Sequence, residues 1–299
     1  MRILFVTSNR LGDAVLSTGL LDHLLRAHPD ARITIACGPV AAGVFDRMPN
    51  RERTIVLDKR PYRGHWLPLW ASVATTLWEL VVDIRGSALP WLVPARRRAV
   101  MRRRPGHKTE QLAAVLGLNP PPLPVVWTGP EDQRRARAWL PDEASFIALA
   151  PTANWAPKVW PADRFAALFR ALQSGPLPNA IPAVCAGPGA AERAMAQPLL
   201  AALPNAIDLA GQLSVPEAAA CLQRCVLFAG NDSGLMHLAA AAGVPTIGLF
   251  GPTNASEYAP AGQHAVAVTS DSSRMEDLPV DRVLQAACAL LERSPVTRS

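Results

Sequence analysis

A run of small polar residues, Asp232, Ser233 and Gly234, immediately precedes an apolar segment with helical spacing. The first turn of a helix presents backbone N–H groups and the positive end of the helix dipole, and both favour a bound anion. His237 lies about one turn further on, where its ring can point back toward such a ligand. The stretch therefore predicts a diphosphate site. Taken singly, ordinary helix capping and a buried core histidine explain the same residues.

The flanking segments place this stretch within a βαβ unit. Residues 225–229 are apolar and short enough for a buried strand, and the helical pattern ends where Gly243 and Pro245 stop it. A second strand is predicted over Thr246–Phe250. Parallel strands joined through a helix bring their carboxyl-end loops to one edge of the sheet, where open α/β folds bind ligands.

Residues 232–241, together with Gly243-Val244-Pro245 and residues 249–253, resemble the signature of the heptosyltransferases of glycosyltransferase family 9. The resemblance implies an α/β fold of the GT-B type, in which two Rossmann-like domains with parallel sheets face each other across a cleft. It also implies that the C-terminal domain holds a nucleotide-sugar donor.

The pair Gly12-Asp13 follows the first predicted strand, at the start of a helix predicted from about Ala14 to Ala27. It matches a family pair at the mouth of the cleft, and the resemblance implies that Asp13 is the catalytic base. Inverting glycosyl transfer needs one carboxylate to take the proton from the attacking acceptor hydroxyl. The alternative interpretation of Asp13 is a helix N-cap.

The resemblance extends to loops of the second half. Lys158-Val159-Trp160-Pro161 matches a Lys-Arg-Trp-Pro pattern, except that Val159 replaces the arginine, and Lys158 would neutralise the donor diphosphate and the growing charge of the leaving group. Glu192 matches a position expected to hydrogen-bond the nucleoside. The predicted donor-binding residues are Thr152, Lys158, Glu192, Asp232, Ser233, Gly234 and His237, and Lys158 is also assigned to catalysis beside Asp13.

An apolar-Asp-apolar segment around Asp83 resembles the family strand before the acceptor loops, although an aspartate at a strand end is commonly a turn former. Two arginine triplets follow, at residues 96–98 and 102–104. They are either a solvated charge run or a contact for phosphates of a glycolipid acceptor or of anionic lipid. Nucleic acid is disfavoured, because no binding module or interleaved aromatic residues accompany them. The candidate acceptor contacts are Gly12, Arg85, Arg97 and Arg103.

The composition suits a globular protein with two domains of ordinary size. The chain has 299 residues, of which 49% are hydrophobic, and its 30 basic and 24 acidic side chains give a formal charge of +6. Such a charge indicates an acidic partner without selecting one. The five scattered cysteines match neither a disulfide framework nor a metal site, and all five are predicted to be buried small hydrophobes.

The proline-rich stretch at residues 119–124 and the polar helix after it separate the halves. We predict an acceptor-binding domain over residues 1–143 and a donor-binding domain over residues 144–299. The first strand begins directly after Met1-Arg2, which leaves no room for a signal peptide and predicts a cytoplasmic protein, with peripheral contact at the inner face of the inner membrane. Residues 66–84 are interpreted as a helix leading into a strand, because two acidic residues interrupt them.

The sequence as a whole predicts an inverting, metal-independent heptosyltransferase without a cofactor. From the resemblance, the donor is ADP-heptose and the acceptor is a phosphorylated glycolipid, a lipopolysaccharide inner-core sugar. An Asp-x-Asp metal motif is missing from any suitable place. Three alternatives stay open: transfer from another nucleotide sugar, a nucleotide-sugar epimerase on the same fold, and a non-catalytic protein that binds sugar nucleotides.

Overall fold

The computed structural model describes residues 1–58 and 65–293. Contacts divide the chain into two compact units, Met1–Trp127 and a second that begins at Thr128. The predicted boundary after residue 143 lies further along the chain, and the helix α5, Pro130–Trp139, accounts for the difference.

Helix α5 packs within the second unit, against helix α8, Val215–Leu222. An ion pair of 2.8 Å joins Arg135 of α5 to Glu217 of α8. A polar surface helix shows from its sequence which face is apolar, but not which domain that face contacts. The acceptor and donor roles of the two units stay predictions.

The first unit is built on a five-stranded parallel sheet. Its strands are β1 (Arg2–Val6), β2 (Arg32–Cys37), β3 (Arg51–Val56), β4 (Trp78–Asp83) and β5 (Ala95–Val100). They lie in the order β3-β2-β1-β4-β5. The inner strands β1 and β4 are buried almost throughout, as expected where helices cover both faces of a parallel sheet.

The helices of the first unit are α1 (Leu11–Ala27), α2 (Pro39–Ala42), α3 (Trp66–Val73) and α4 (Lys108–Leu116). Thr18 of α1 anchors the chain that follows α4, because its hydroxyl donates to the Val125 carbonyl at 2.7 Å and accepts from the Val125 N–H at 2.8 Å. A Cβ at Gly19 would lie 2.7 Å from the Pro122 carbonyl oxygen. The glycine therefore permits this close approach of the backbone.

Within residues 66–84, interpreted above as a helix leading into a strand, the predicted helix over residues 66–80 is shorter in the structure. Helix α3 ends at Val73, and β4 begins at Trp78. Between them lie Thr75 and Thr76, whose β-branched side chains disfavour a helix and which the apolar pattern of the segment obscured.

The first arginine triplet belongs to a strand that the sequence did not predict. Arg96, Arg97 and Arg98 are exposed on β5, at the edge of the sheet. Charged side chains on an edge strand discourage pairing with another chain, while the backbone of the strand still pairs with β4. The charged sequence therefore did not indicate a strand.

The second unit contains a six-stranded parallel sheet. Its strands are β6 (Ser145–Ala150), β7 (Ala180–Val184), β8 (Ile207–Asp208), β9 (Cys225–Asn231), β10 (Thr246–Phe250) and β11 (Ala265–Thr269). They lie in the order β11-β10-β9-β6-β7-β8. The βαβ unit predicted around residues 225–250 is confirmed.

The remaining helices of this unit are α6 (Ala162–Ser174), α7 (Ala190–Ala202), α9 (Gly234–Ala241), α10 (Ala255–Tyr258) and α11 (Val280–Arg293). One core joins α6, α7 and α11 to the sheet. Within the described ranges, none of the helices combines the length and apolar character that a membrane crossing requires.

Each sheet has one point where the chain reverses its progress across the strands. In the first sheet this point lies between β1 and β4, and in the second it lies between β6 and β9. The loops leaving such strands run to opposite sides and leave a crevice at the carboxyl edge, where open α/β sheets bind ligands. The loops after these four strands are therefore the first candidates for a ligand site.

Trp160 is central to the packing of the second unit. Its side chain is 0% exposed, its indole N–H donates to the Leu278 carbonyl at 3.0 Å, and its ring packs edge-on against Phe165 with centroids 4.9 Å apart. Arg164 also donates to the Leu278 carbonyl, so removal of the indole leaves that acceptor paired.

We expect Trp160→Phe to lower the free energy of unfolding by about 1–3 kcal/mol, because it leaves a void and removes one buried hydrogen bond. Equilibrium denaturation in urea measures the change. The matched control is Trp155→Phe, since Trp155 is 51% exposed and its replacement should change stability by less than about 0.5 kcal/mol. Equal effects of the two variants would contradict this account of the core.

Candidate active site

An ion pair lies at the reversal point of the second sheet. The Lys158 ammonium contacts Asp232 Oδ2 at 2.6 Å, and the two side chains are 18% and 11% exposed. Lys158 ends a short 3-10 helix, Ala156–Lys158, in the loop after β6, and Asp232 directly follows β9. Because β6 and β9 are neighbours, their loops meet, and two residues predicted separately for the donor site lie together.

The loop that carries Lys158 is fixed by a second contact to the end of β9. The backbone N–H of Trp160 donates to Asn231 Oδ1 at 3.0 Å, and Asn231 is fully buried. Asn231 was not predicted as a site residue. Its position at the end of a strand, directly before Asp232, could have indicated such a role. This contact limits the positions that Lys158 can reach.

The start of helix α9 has the features of an anion site. Ser233 is the N-cap residue with an extended backbone, yet among the described residues no side chain caps the helix. The capping interpretation of Asp232 and Ser233 is therefore not supported. N–H groups in the first turn of a helix have no acceptor within the helix, so they are available to a ligand.

Three buried polar atoms have no hydrogen-bond partner in the described part of the chain. They are Asn231 Nδ2, Ser233 Oγ and Thr253 Oγ1. Asn231 ends β9, and the other two belong to the loops after the adjacent strands β9 and β10. Buried polar groups nearly always have partners, so three unpaired atoms in adjoining loops indicate a site completed by a polar ligand.

The other predicted donor residues lie at the same edge of the sheet. Thr152 follows β6 and is 2% exposed, and His237 lies one turn into α9 and is 4% exposed. Glu192 is in the first turn of α7, after β7, and its Oε2 accepts from the Gly187 N–H at 3.2 Å. Glu192 thus closes its own loop, and its contact to a nucleoside stays a prediction.

In the first unit, Asp13 lies within the first turn of α1 and not at its cap. The helix begins at Leu11, three residues earlier than predicted, and its N-cap residue is Arg10. The Ser8 hydroxyl donates to Asp13 Oδ2 at 3.2 Å. The N-cap interpretation of Asp13 is therefore wrong, and Gly12 precedes it inside the same turn.

Arg85 follows β4, the strand beside β1. Its guanidinium donates to Asn9 Oδ1 at 3.4 Å and lies 5.0 Å from the centroid of the Trp66 ring. Asp83 acts as a turn former: Oδ1 accepts from the Arg85 N–H at 2.7 Å, and Oδ2 accepts from the Ser87 N–H at 2.9 Å. Asn9 and Trp66 were not predicted, because neither belongs to a motif.

The two arginines of the basic block lie elsewhere. Arg97 is on the edge strand β5, Arg103 is in the segment after it, and both are exposed. Within residues 1–58 and 65–293, no ion pair joins either side chain to a carboxylate. In the same ranges no group of three or more His, Cys, Asp or Glu side chains could hold a metal ion.

Comparison with known proteins identifies the family. The family model described as "Glycosyltransferase family 9 (heptosyltransferase)" matches residues 98–286. The chain belongs to glycosyltransferase family 9. It is a glycosyltransferase of the heptosyltransferase type, and the two parallel sheets are those of the GT-B fold.

Two curated heptosyltransferases are similar to this chain. Lipooligosaccharide heptosyltransferase 2 of Haemophilus ducreyi is 22% identical over 317 aligned residues, which cover 90% of this chain and 88% of that protein. Lipooligosaccharide heptosyltransferase 2 of Haemophilus influenzae is 33% identical over 124 residues, covering 40% of this chain and 34% of that protein. The second match is thus local, spanning about a third of that protein.

A solved structure supports the GT-B fold. The E. coli ADP-heptose lipopolysaccharide heptosyltransferase II matches with a TM-score of 0.79 at 21% identity, over 98% of this chain and 99% of that one.

Four of the five cysteines are buried. Burial raises the pKa of the Cys37, Cys185 and Cys221 thiols to about 12 and that of Cys225 well above its ordinary value. Cys288 is only partly buried, which corrects the prediction that all five are buried. A thiol with a raised pKa stays protonated at neutral pH and is a poor nucleophile.

We expect iodoacetamide at pH 8 to alkylate Cys288 in the folded protein and to leave the other four cysteines unmodified. At a pKa of about 12, roughly one thiol in 10,000 is ionised at that pH. Mass spectrometry of peptides after timed quenching measures the labelling. Unfolding in urea is the control and should expose all five, whereas rapid labelling of Cys185 before unfolding would contradict the assignment.

Proposed function

We propose that this family 9 glycosyltransferase transfers a heptose from ADP-heptose to a lipopolysaccharide inner-core sugar, with inversion at the anomeric carbon. The observation that carries the proposal is the Lys158–Asp232 pair beside the uncapped start of α9, where buried polar atoms lack partners. The names of the related proteins supply ADP-heptose and lipopolysaccharide, and the choice of an inner-core sugar follows from the family resemblance.

The diphosphate of the donor is assigned to the start of α9 and to Lys158. An ammonium group has three N–H donors, so Lys158 can keep its contact to Asp232 and still donate to phosphate oxygens. Asp232 therefore holds Nζ in place instead of competing with the ligand. Thr152, Ser233 and His237 supply further polar groups at the same edge, and Glu192 is assigned to the nucleoside.

Lys158 also stabilises the leaving group. As the bond between the anomeric carbon and the diphosphate oxygen breaks, negative charge grows on that oxygen, and the ammonium and the helix dipole are already oriented toward it. In this proposal these two groups act in place of a divalent ion, so transfer continues in the presence of EDTA.

Asp13 is assigned as the base. The acceptor hydroxyl oxygen forms the new bond to the anomeric carbon, its proton passes to Asp13, and ADP departs. The Ser8 hydroxyl donates to Oδ2 and helps to orient the carboxylate. The reaction requires that Asp13 of the first unit reach a sugar held by the second.

The exposed arginine block is assigned to phosphates outside the reaction centre. Arg97 and Arg103 project from the surface without carboxylate partners in the described ranges. We assign them to the phosphorylated glycolipid and to anionic lipid around it, at the cytoplasmic face of the inner membrane. Gly12 would allow close approach of the acceptor beside Asp13.

We expect Asp13→Asn to lower kcat for transfer about 10²- to 10⁴-fold and to leave the affinity for ADP within about twofold, because the amide cannot accept the proton. ADP release from ADP-heptose with a truncated core acceptor measures the rate. The matched control is Asp22→Asn in the same helix, where Asp22 forms an ion pair with Arg26. Full activity of Asp13→Asn would remove Asp13 from the mechanism.

We expect Lys158→Ala to weaken ADP binding about 10- to 100-fold, because it removes a charged contact and leaves Asp232 facing the diphosphate without its partner. Isothermal titration calorimetry with ADP measures the affinity, and Lys108→Ala is the control.

The double variant Lys158→Ala/Asp232→Ala should recover part of the loss, since the uncompensated carboxylate is then gone. Wild-type affinity for ADP in Lys158→Ala would contradict the assignment of Lys158 to the diphosphate. If the double variant recovers no affinity, Asp232 itself contacts the ligand.

A further inference from the structure

One large hydrophobic side chain of the second unit is exposed in the described part of the chain. It is Trp155, at 51%, whereas the other exposed large hydrophobic residues in the described ranges all lie in the first unit. Trp155 belongs to the loop after β6, at the carboxyl edge of the sheet, and the same loop carries Lys158. The exposed indole therefore lies at the edge to which the donor is assigned.

The backbone of Trp155 is fixed relative to Lys158. Its carbonyl accepts the Lys158 N–H at 3.0 Å, which closes a turn of four residues. In such a turn the first and last Cα atoms lie within about 7 Å of each other. The contact of the Trp160 N–H with Asn231 holds the end of the loop. One short, anchored turn therefore carries both the indole and the ammonium.

Packing within the second unit does not account for this indole. A half-exposed aromatic ring loses much of the stabilisation that burial would supply. Its N–H donates to no acceptor in the described contacts. The indoles of Trp70, Trp78 and Trp160 each donate to a backbone carbonyl. Trp155 thus offers an unused ring face and an unused donor, and tryptophan in such a position is typical of a surface that binds a partner.

The chemistry of a sugar nucleotide indicates which part would contact this ring. The diphosphate needs charged or polar donors, which Lys158 and the start of α9 supply. The nucleoside is assigned to Glu192, beyond the next strand of the sheet, β7. An indole ring suits the C–H face of a sugar, and its N–H suits a hydroxyl. The transferred sugar must also stay accessible to an acceptor, which an exposed ring permits.

We propose that Trp155 contacts the transferred sugar of the donor, with its ring against the C–H face of the sugar and its indole N–H on a hydroxyl. The proposal rests on the proposed function, since it names the residue that recognises the sugar of that donor. Lys158 binds the diphosphate, which ADP and ADP-heptose share. Trp155 contacts only the part that ADP lacks, so it distinguishes the donor from the product.

A second exposed tryptophan supplies a matched control. Trp91 of the first unit is 68% exposed, but the Arg98 guanidinium lies 5.5 Å from the centroid of its ring. Its exposed ring therefore already has a partner on one face. Trp91 has no role in the proposed transfer, and its replacement by alanine removes an indole of the same size from the surface.

The first test measures binding in the absence of acceptor. Isothermal titration calorimetry on the full chain compares ADP, ADP-heptose and ADP-glucose. Trp155→Ala should weaken ADP-heptose about fivefold or more and leave the Kd for ADP within about twofold. The ADP titration also monitors the loop, because a displaced Lys158 would weaken ADP as well. Trp155→Phe keeps a ring and should retain most of the affinity for ADP-heptose.

Trp91→Ala should bind all three ligands as the wild type does. Because Trp155 is exposed, Trp155→Ala should melt within about 2 °C of the wild type. Equal weakening of ADP and ADP-heptose in Trp155→Ala would place the indole on the nucleotide and overturn the proposal. Unchanged affinity for both ligands, or a wild type that binds neither ADP-heptose nor ADP-glucose, overturns it too.

A second test separates this inference from the proposed function. In the transfer assay, Trp155→Ala should raise the donor KM about fivefold or more, and leave unchanged the acceptor KM and the inhibition constant of ADP. Transfer from ADP-heptose with a wild-type donor KM in Trp155→Ala refutes the sugar contact and leaves the heptosyltransferase proposal standing. Trp155-dependent binding of ADP-glucose, in a protein without transfer from ADP-heptose, refutes the proposed donor and leaves the sugar contact standing.

Discussion

The contact between Lys158 and Asp232 is the interaction on which the candidate site depends. An ion pair that is mostly removed from water adds little stability, because desolvation of two charges offsets their attraction. Its value is positional. Asp232 holds the ammonium at the carboxyl edge between β6 and β9, and the Trp160–Asn231 contact holds the loop that carries it. The site is therefore partly organised before any ligand binds.

This arrangement follows from strand order and not from any one motif. Lys158 and Asp232 are 74 residues apart in the sequence, and they meet only because β6 and β9 are neighbours in the sheet. Local patterns predicted the strand before Asp232 and the helix after it, and the family resemblance assigned both residues to the donor. Such patterns do not encode which strands pair, so the ion pair itself and the support from Asn231 became visible only in the structure.

The incorrect predictions for β5, α5 and the start of α1 have a common physical cause. The arginine triplet of β5 looked like a solvated run because an edge strand can be polar on both faces and still pair through its backbone. Helix α5 seemed to belong to the first half because its few apolar residues do not identify their partner. The N-cap alternative for Asp13 arose because α1 was predicted to begin at about Ala14, whereas it begins at Leu11. The sequence alone does not fix the first turn of a helix. In each case the missing information was a contact distant in sequence.

Lys158 and Arg85, which lie at the reversal points of the two sheets, differ in the groups that contact their charge. Lys158 is neutralised by a carboxylate, so a ligand gains from its hydrogen bonds and from the helix dipole more than from net charge. Arg85 has an indole ring and an amide oxygen as its described contacts, and the nearby Asp83 carboxylate, which accepts backbone N–H groups, acts on it through its charge. The first arrangement favours a ligand that can share the ammonium with Asp232, as the several oxygens of a diphosphate can. The cations at the two reversal points therefore differ in their contacts: a carboxylate contacts the Lys158 ammonium directly, whereas the described contacts of the Arg85 guanidinium are an amide oxygen and an indole ring.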